Sequence, residues 1–482
     1  MSSLTRRLRA LKLESLFVAA LVLFGFRLGV RPIADNSMFT HLRTGIDIAG
    51  GRGIPRFDPY SYTAGGERWV AQSWLPEWTY GWLHRLGDGF ELVVLGQALL
   101  CSLLALLVVR LVRAGSSLRT TLAGALALGI GAPFWSPRPL LFGLVCMALV
   151  VTVVERRKAP WLLVPIVWLW VQSHGSFPLG LAWLGARAVG EWLDWRARPN
   201  DTLRYLGWFG AGLAASIVSP LGARLLLFPL TVGDKRDAFT SIVEWQSPDF
   251  QSSAGRFSLV FLALALVVLL RARLSWRDLV PTVGFVVASL VALRNLPAAA
   301  VVLAPVLGRA LRRPEGAGSW SSGGSSSSPP AVNHRLNRVM LATIALAFAI
   351  FGASVFTTPP LRLRSYPVKA VTFLYDQRLL SDPHRLAHQD FVGNYLSLRF
   401  GRDVKVFVDD RVDMYPSEIS KDYSTLLGAT PDSLGVLERH AVDVVLWNRK
   451  LALATVLQAS GAWTEIFREG DWVVYRRSTS VP

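Results

Sequence analysis

Hydrophobic and polar positions alternate along this chain on two scales. From residue 14 to residue 356, apolar runs of about 13–19 residues recur; most are near the length that crosses a bilayer as a helix, and the short fifth run, 160–172, reads either as a span or as a re-entrant segment. They fall at 14–30, 91–109, 120–135, 139–154, 160–172, 176–193, 205–219, 256–270, 278–293, 296–311 and 339–356. Arg6, Arg7, Arg9 and Lys12 precede the first run. Cationic loops stay in the cytoplasm, so the N-terminus is expected inside. Every other connection is then also basic: Arg110, Arg113 and Arg119; Arg156, Arg157 and Lys158; Arg196, Arg198 and Arg204; Arg271, Arg273 and Arg277; Arg309, Arg312 and Arg313. The two long polar stretches, 31–90 and 220–255, fall outside without adjustment. The pattern predicts a polytopic α-helical protein of the inner (cytoplasmic) membrane with about eleven transmembrane helices.

Beyond Pro359 the periods shorten and the composition becomes that of a soluble domain. Val404–Val408 and Val442–Trp447 read as strands, while Tyr366–Asp376, Pro431–His440 and Leu451–Ser460 read as helices. Trp463–Phe467 and Trp472–Arg476, separated by Arg-Glu-Gly-Asp, read as a hairpin. The expected organisation is a membrane domain over 1–313, a Gly/Ser/Pro-rich cytoplasmic linker over 314–337, a last transmembrane helix over 338–358 and a small extracytoplasmic α/β domain over 359–482.

Composition supports the membrane reading. Of 482 residues, 52% are hydrophobic and only 17% charged. The first run has basic flanks but no small-residue cleavage pattern behind it, so it reads as an anchor. The net charge of +18 would suggest nucleic acid in a soluble protein. Here it is explained by the inner loops, and no nucleic-acid partner is expected. Cys101 and Cys146 both lie inside apolar runs, which argues against a disulfide framework or a thiolate metal site. Neither a P-loop nor a dinucleotide fingerprint occurs, so a transferase here would draw its donor from a lipid carrier.

The candidate chemistry centres on residues 31–90. Asp35 follows the first run by one short turn. It reads either as the N-cap of a helix starting at Asn36 or as a general base that orients an acceptor hydroxyl. His41 lies on that helix, as a surface residue or as a neighbour of Asp35. Arg43 is placed to pair with Asp47 at i,i+4 or to grip a phosphate. Asp58, before Pro59, reads as a turn residue. Trp69, Trp74, Trp78 and Trp82 suit either the membrane interface or the face of a sugar, and Glu77 faces one side or the other. Farther along, Arg138, His174, Glu244, Asp249 and Arg294 fall at outward ends of runs or in the second long stretch. Charged groups at such edges pair with one another or serve a wet cavity. Arg138 and Arg294 are candidates for a lipid-linked phosphate or for snorkelling. Glu244 and Asp249 could join Asp35 around a divalent cation, although no spacing is diagnostic of one.

Asp35 with His41-Leu-Arg-Thr-Gly45, Asp58-Pro-Tyr-Ser-Tyr-Thr63 and Ser73-Trp-Leu-Pro-Glu77 form a recognisable set. Further pieces are Arg138-Pro-Leu-Leu-Phe, His174-Gly-Ser-Phe, Glu244-Trp-Gln-Ser-Pro-Asp-Phe, Asp390-Phe-Val-Gly-Asn-Tyr and Val408-Asp-Asp-Arg-Val-Asp413-Met-Tyr415. Together they resemble a bacterial branch of the GT-C glycosyltransferase superfamily over nearly the whole chain. It departs at Gln72, where the branch has His. The resemblance implies a GT-C membrane fold and catalysis by an acidic residue of the first outer loop, which by position is Asp35. It also implies inverting transfer from a polyprenyl-phosphate sugar, or a lipid-linked oligosaccharide, to a glycan, lipid or protein acceptor. The alternative is a lipid or glycan transporter, or a scaffold of envelope assembly. A transporter needs polar residues along a midplane path, and here they cluster at the ends of the runs.

Overall fold

The computed structural model describes residues 13–234, 243–312 and 334–478. The expected linker over 314–337 therefore lies almost wholly outside the described residues, as do Lys235, Arg236 and Asp237 of the second long stretch. The chain forms two compact units assembled from interleaved stretches. Unit 1 comprises Met1–Arg31, Val93–Val218 and Ile242–Pro360; unit 2 comprises Pro32–Leu92, Ser219–Ser241 and Leu361–Pro482.

Unit 1 is helical. Its first helix is α1 (Leu13–Gly29). The chain then passes through unit 2, with α2 (Asn36–Asp47) and α3 (Trp74–Gly87), before α4 (Glu91–Leu111). There follow α5 (Ser117–Gly131), α6 (Leu140–Arg156), α7 (Leu163–Ser173), α8 (Pro178–Trp195) and α9 (Asn200–Ala215). After α10 (Arg224–Asp234), in unit 2, come α11 (Ser253–Leu270), α12 (Trp276–Val291), α13 (Leu296–Ala310) and α14 (His334–Ser354). Small residues let these helices approach closely, as membrane helices do. A Cβ at Gly29 would stand 2.4 Å from the Ala98 Cα. On α11, Phe257, Val260, Leu264, Val267 and Leu270 point outward, an apolar surface suited to lipid.

Three described helices are long and apolar enough to cross a membrane: Glu91–Leu111, Ser253–Leu270 and Arg335–Ser354. The other expected runs are helical but shorter or more polar. At 17 residues α1 reaches about 25 Å, and at 11 residues α7 reaches about 16 Å, against a hydrocarbon core of roughly 30 Å. The second long stretch is also less loop-like than expected, because α10 occupies part of it.

Two acidic residues, Glu155 and Asp278, tie helices of unit 1 together through Arg187 and Arg309. Arg309 donates to both Asp278 oxygens, at 2.7 and 2.8 Å, and to Glu155 at 2.6 Å; Arg187 donates to the other Glu155 oxygen at 2.8 Å. Arg309, one of the basic residues counted among the expected inner loops, is thus engaged in helix packing.

Unit 2 joins the first long stretch to the tail. The tail contributes α15 (Val368–Asp376), β1 (Leu386–His388), α16 (Asp390–Phe400), α17 (Ser417–Gly428), α18 (Ser433–Arg439), β2 (Val444–Asn448), α19 (Ala452–Ala459), β3 (Trp463–Glu469) and β4 (Trp472–Arg477). Its sheet runs β1-β2-β4-β3. β1 pairs parallel to β2 (Leu386 with Val444), which requires the long helical crossover between them. The expected hairpin is present, antiparallel, with an irregularity between Glu465 and Phe467. The three expected tail helices correspond to α15, α18 and α19.

The strand expected over Val404–Val408 does not form; only Val406 bridges, to Ser61 of the first stretch. The segment is apolar because it is buried against that stretch. Tyr62 N donates to the Val406 carbonyl at 3.1 Å, and Val406 N donates to that of Tyr60 at 2.9 Å. Tyr60 and Trp69 share one core with Phe407, Val445, Trp447 and Leu453.

Candidate functional site

The candidate residues divide between the units: Asp35, His41, Arg43, Asp58, Trp74 and Glu77 in unit 2, and Arg138, His174, Glu244, Asp249 and Arg294 in unit 1.

In unit 2, Asp35 is the N-cap of α2, accepting from Ser37 N at 3.2 Å. A capped first turn gathers negative charge. Here it gathers a second carboxylate from the tail: Asp410 accepts from Asn36 Nδ2 at 3.0 Å and from the Ser37 hydroxyl. Asn394 holds Asp410 in place, accepting from Asp410 N at 3.0 Å and from Thr40 Oγ1 at 2.7 Å. The Tyr366 phenol feels this arrangement. Burial first, then the charges of Asp410, Asp35 and Asp390, push it above its ordinary range.

α2 and α3 cross backbone to backbone. A Cβ at Gly45 would lie 2.0 Å from the Glu77 carbonyl oxygen, and one at Gly81 would lie 2.0 Å from that of Gly45. The crossing sets His41 Nδ1 2.7 Å from Glu77 Oε1. Glu77 is only 3% exposed, and its Oε2 has no hydrogen-bond partner among the described residues. Trp74 opens α3, half-buried, while Trp78 and Trp82 on the same helix are exposed.

Arg43 and Asp58 take local roles. Arg43 pairs with Asp47 one turn on. Asp58 closes a turn, accepting from Tyr60 N and Ser61 N at 3.0 Å each. It also accepts from Arg411 at 2.6 Å, and Arg411 chelates Asp409 through Nε and Nη2. The Arg411 guanidinium lies 4.7 Å from the Trp69 ring centroid and 5.0 Å from that of Tyr60. Trp69 is therefore buried against a cation and is neither an interface anchor nor a sugar platform.

In unit 1, Arg138 Nη1 lies 2.5 Å from Glu244 Oε1. The Arg294 guanidinium covers the Trp245 ring at 4.2 Å, and Glu244 and Arg138 both act on it electrostatically. The segments carrying Glu244 and Arg294 are tied by Leu293 N donating to the Gln246 carbonyl at 2.9 Å. Arg138, Glu244 and Arg294 thus form one group. His174 is fixed locally, with Nδ1 accepting from Ser176 N at 3.1 Å. Asp249 is exposed and closes a turn, accepting from Gln251 N at 2.8 Å. Among the described residues, no three His, Cys, Asp or Glu side chains come together as a metal site.

Comparison with solved structures supplies the frame for these groups. The oligosaccharyltransferase of Archaeoglobus fulgidus, in a structure tethered by a disulfide to an acceptor peptide containing the NVT sequon, matches with a TM-score of 0.51 at 13% identity. The match covers 96% of this chain and 74% of that one. The fold is GT-C. A mycobacterial arabinofuranosyltransferase, AftD, matches with a TM-score of 0.48 at 14% identity over 98% of this chain and 40% of its own length, so this chain spans about two-fifths of that protein. No protein-family model and no curated protein matches in sequence.

The feature that the sequence pattern does not announce is the tail's share in the surroundings of Asp35. Asp410 and Tyr366 come from residues far along the chain. The only signal was the dense run Asp409-Asp410-Arg411, whose members turn out to serve two different places.

Proposed function

We propose that this chain is a membrane glycosyltransferase. It moves a sugar from a polyprenyl-phosphate carrier to an envelope glycan, lipid or protein acceptor at the outer face of the bacterial cytoplasmic membrane, with the N-terminus inside and the tail domain outside. The observation that carries the reading is the Asp35 carboxylate on a GT-C fold, fixed at the first turn of the helix that follows the first apolar run. In the reaction, the acceptor oxygen bonds to the anomeric carbon. The bond from that carbon to the carrier phosphate breaks, and the phosphate leaves with the electron pair. Asp35 orients the acceptor hydroxyl and takes its proton. Asp410 and Tyr366 shape the acceptor's surroundings. Arg138 and Arg294, preorganised by Glu244 and Trp245, are the cations for the departing phosphate.

The test is transfer of labelled sugar from polyprenyl phosphate by the full chain in proteoliposomes. Asp35→Asn is expected to lower turnover by roughly 10²–10⁴-fold, the usual weight of a general base. Unchanged turnover in that variant would remove Asp35 from the role.

A further inference from the structure

α2 carries a second charged centre at its other end. Asp47, 1% exposed, receives Arg43 from the same helix, Arg52 at 3.3 Å from the turn behind it and Arg402 at 2.7 Å from the tail. The Tyr60 hydroxyl adds a fourth donor at 3.1 Å. Burial alone would raise the Asp47 carboxyl; the hydrogen bonds and charges of Arg43 and Arg402 outweigh it and hold it below the ordinary carboxylate range. Three guanidinium charges on one carboxylate leave two positive charges in excess. Among the described residues no second carboxylate pairs with any of the three arginines.

The donors are also underused. Arg402 spends Nε on Asp47 and Arg52 spends Nη1, while Arg43 Nε is buried with no partner among the described residues. Arg52 and Arg402 remain 51% and 32% exposed, so their other N–H groups are open to a ligand. Gly401 has φ +65°, a conformation that favours glycine, and it packs beside Arg43: a Cβ there would stand 3.1 Å from the guanidinium carbon.

We propose that this centre binds a phosphate-type dianion, with Asp47 as the hub that holds three otherwise repelling arginines in one place. Guanidinium forks match phosphate oxygens, and two excess charges match a dianion. The centre is not the place of reaction. The helix has 12 residues, which separates its Asp35 end from Asp47 by about 18 Å. A phosphate held here is too far from Asp35 to be the one that leaves the sugar. It belongs to a second ligand, or to a distal anionic group of a substrate, carried by a lipid headgroup or by a soluble phosphate ester.

The experiment is direct binding, independent of any transfer activity. The full chain is purified in phosphatidylcholine nanodiscs and titrated calorimetrically with inorganic phosphate and with pyrophosphate. A parallel arm compares nanodiscs with and without phosphatidic acid, reading displacement of bound pyrophosphate. Saturable binding is expected, weakened about tenfold in Arg402→Gln and further in Arg52→Gln/Arg402→Gln. Displacement by phosphatidic acid would assign the site to a lipid headgroup, and its absence to a soluble ester. If neither anion binds saturably, or if both variants bind as the parent does while melting at the same temperature, the proposal is overturned. Because Asp35 plays no part in the titration, loss of this inference leaves the transferase reading untouched, and the converse also holds.

Discussion

Unit 2 contains two ionic centres that join the first stretch to the tail, and they have opposite stoichiometry. At Asp58–Arg411–Asp409 one guanidinium serves two carboxylates. At Asp47 one carboxylate serves three guanidiniums. Arg411 is 6% exposed, its donors are taken and its faces are covered by Tyr60 and Trp69. Its protonated form is held firmly: burial works against the charge, but Asp409 and Asp58 outweigh it. The difference teaches how to separate scaffold from binding surface. A closed centre with spent donors holds the fold together. An open one, with excess charge and solvent-reachable donors, has capacity left for a ligand.

That contrast is broken most forcefully at Arg411. Removing it leaves two buried carboxylates facing each other, so Arg411→Met is expected to cost about 3–5 kcal/mol, read from thermal unfolding of the full chain in detergent. A shift no larger than that of a surface variant would mean the centre is not closed.

A pH scan sharpens the comparison from the sealed side. His388 has no exposure; its Nδ1 donates to the Gln389 carbonyl at 2.9 Å, and its Nε2 accepts from Phe407 N at 3.1 Å. Burial lowers it from 6.5 to about 4, so the fold keeps the ring neutral. Stability from this residue is complete above pH 6.5. It falls as pH drops toward 4, because the unfolded chain takes up the proton first, and it is level below that. The expected loss is about 3 kcal/mol over that window, and His388→Gln should lack the slope.

The smallest expected effect lies at the open centre. Arg52→Gln should change unfolding stability by no more than about 1 kcal/mol, because the arginine is half exposed and Arg43 and Arg402 stay on the buried Asp47 carboxylate. Large losses there would make the Asp47 centre a second scaffold.

What could be read from the sequence was local. The Asp35 cap, the Arg43–Asp47 pair one helical turn apart and the Asp58 turn all rest on neighbours within five residues. The hairpin and three tail helices followed from periodicity. What escaped depended on distance along the chain. Val404–Val408 looked like a strand because its apolar side chains are buried, yet Thr63 and Asp58, which hold that region, lie 344 and 353 residues from their partners Phe407 and Arg411. The same holds for Asp410 beside Asp35. Within the helical unit, nothing in a run of basic loop residues tells which arginine is solvated and which, like Arg309, is clamped by Asp278 and Glu155. Composition reports the charge; only packing reports its partner.

The glycine contact between the second and third helices has a mechanical consequence. With no side chains between Gly45 and Gly81 to slide or compress, the pair behaves as a single stiff beam. Asp35 stands at one tip of that beam, Asp47 near the other, and the exposed Trp78 and Trp82 ride along its flank. Both charged centres of unit 2 thus sit on one helix, and a ligand gripped at the far arginines bears on the same element that presents the Asp35 carboxylate.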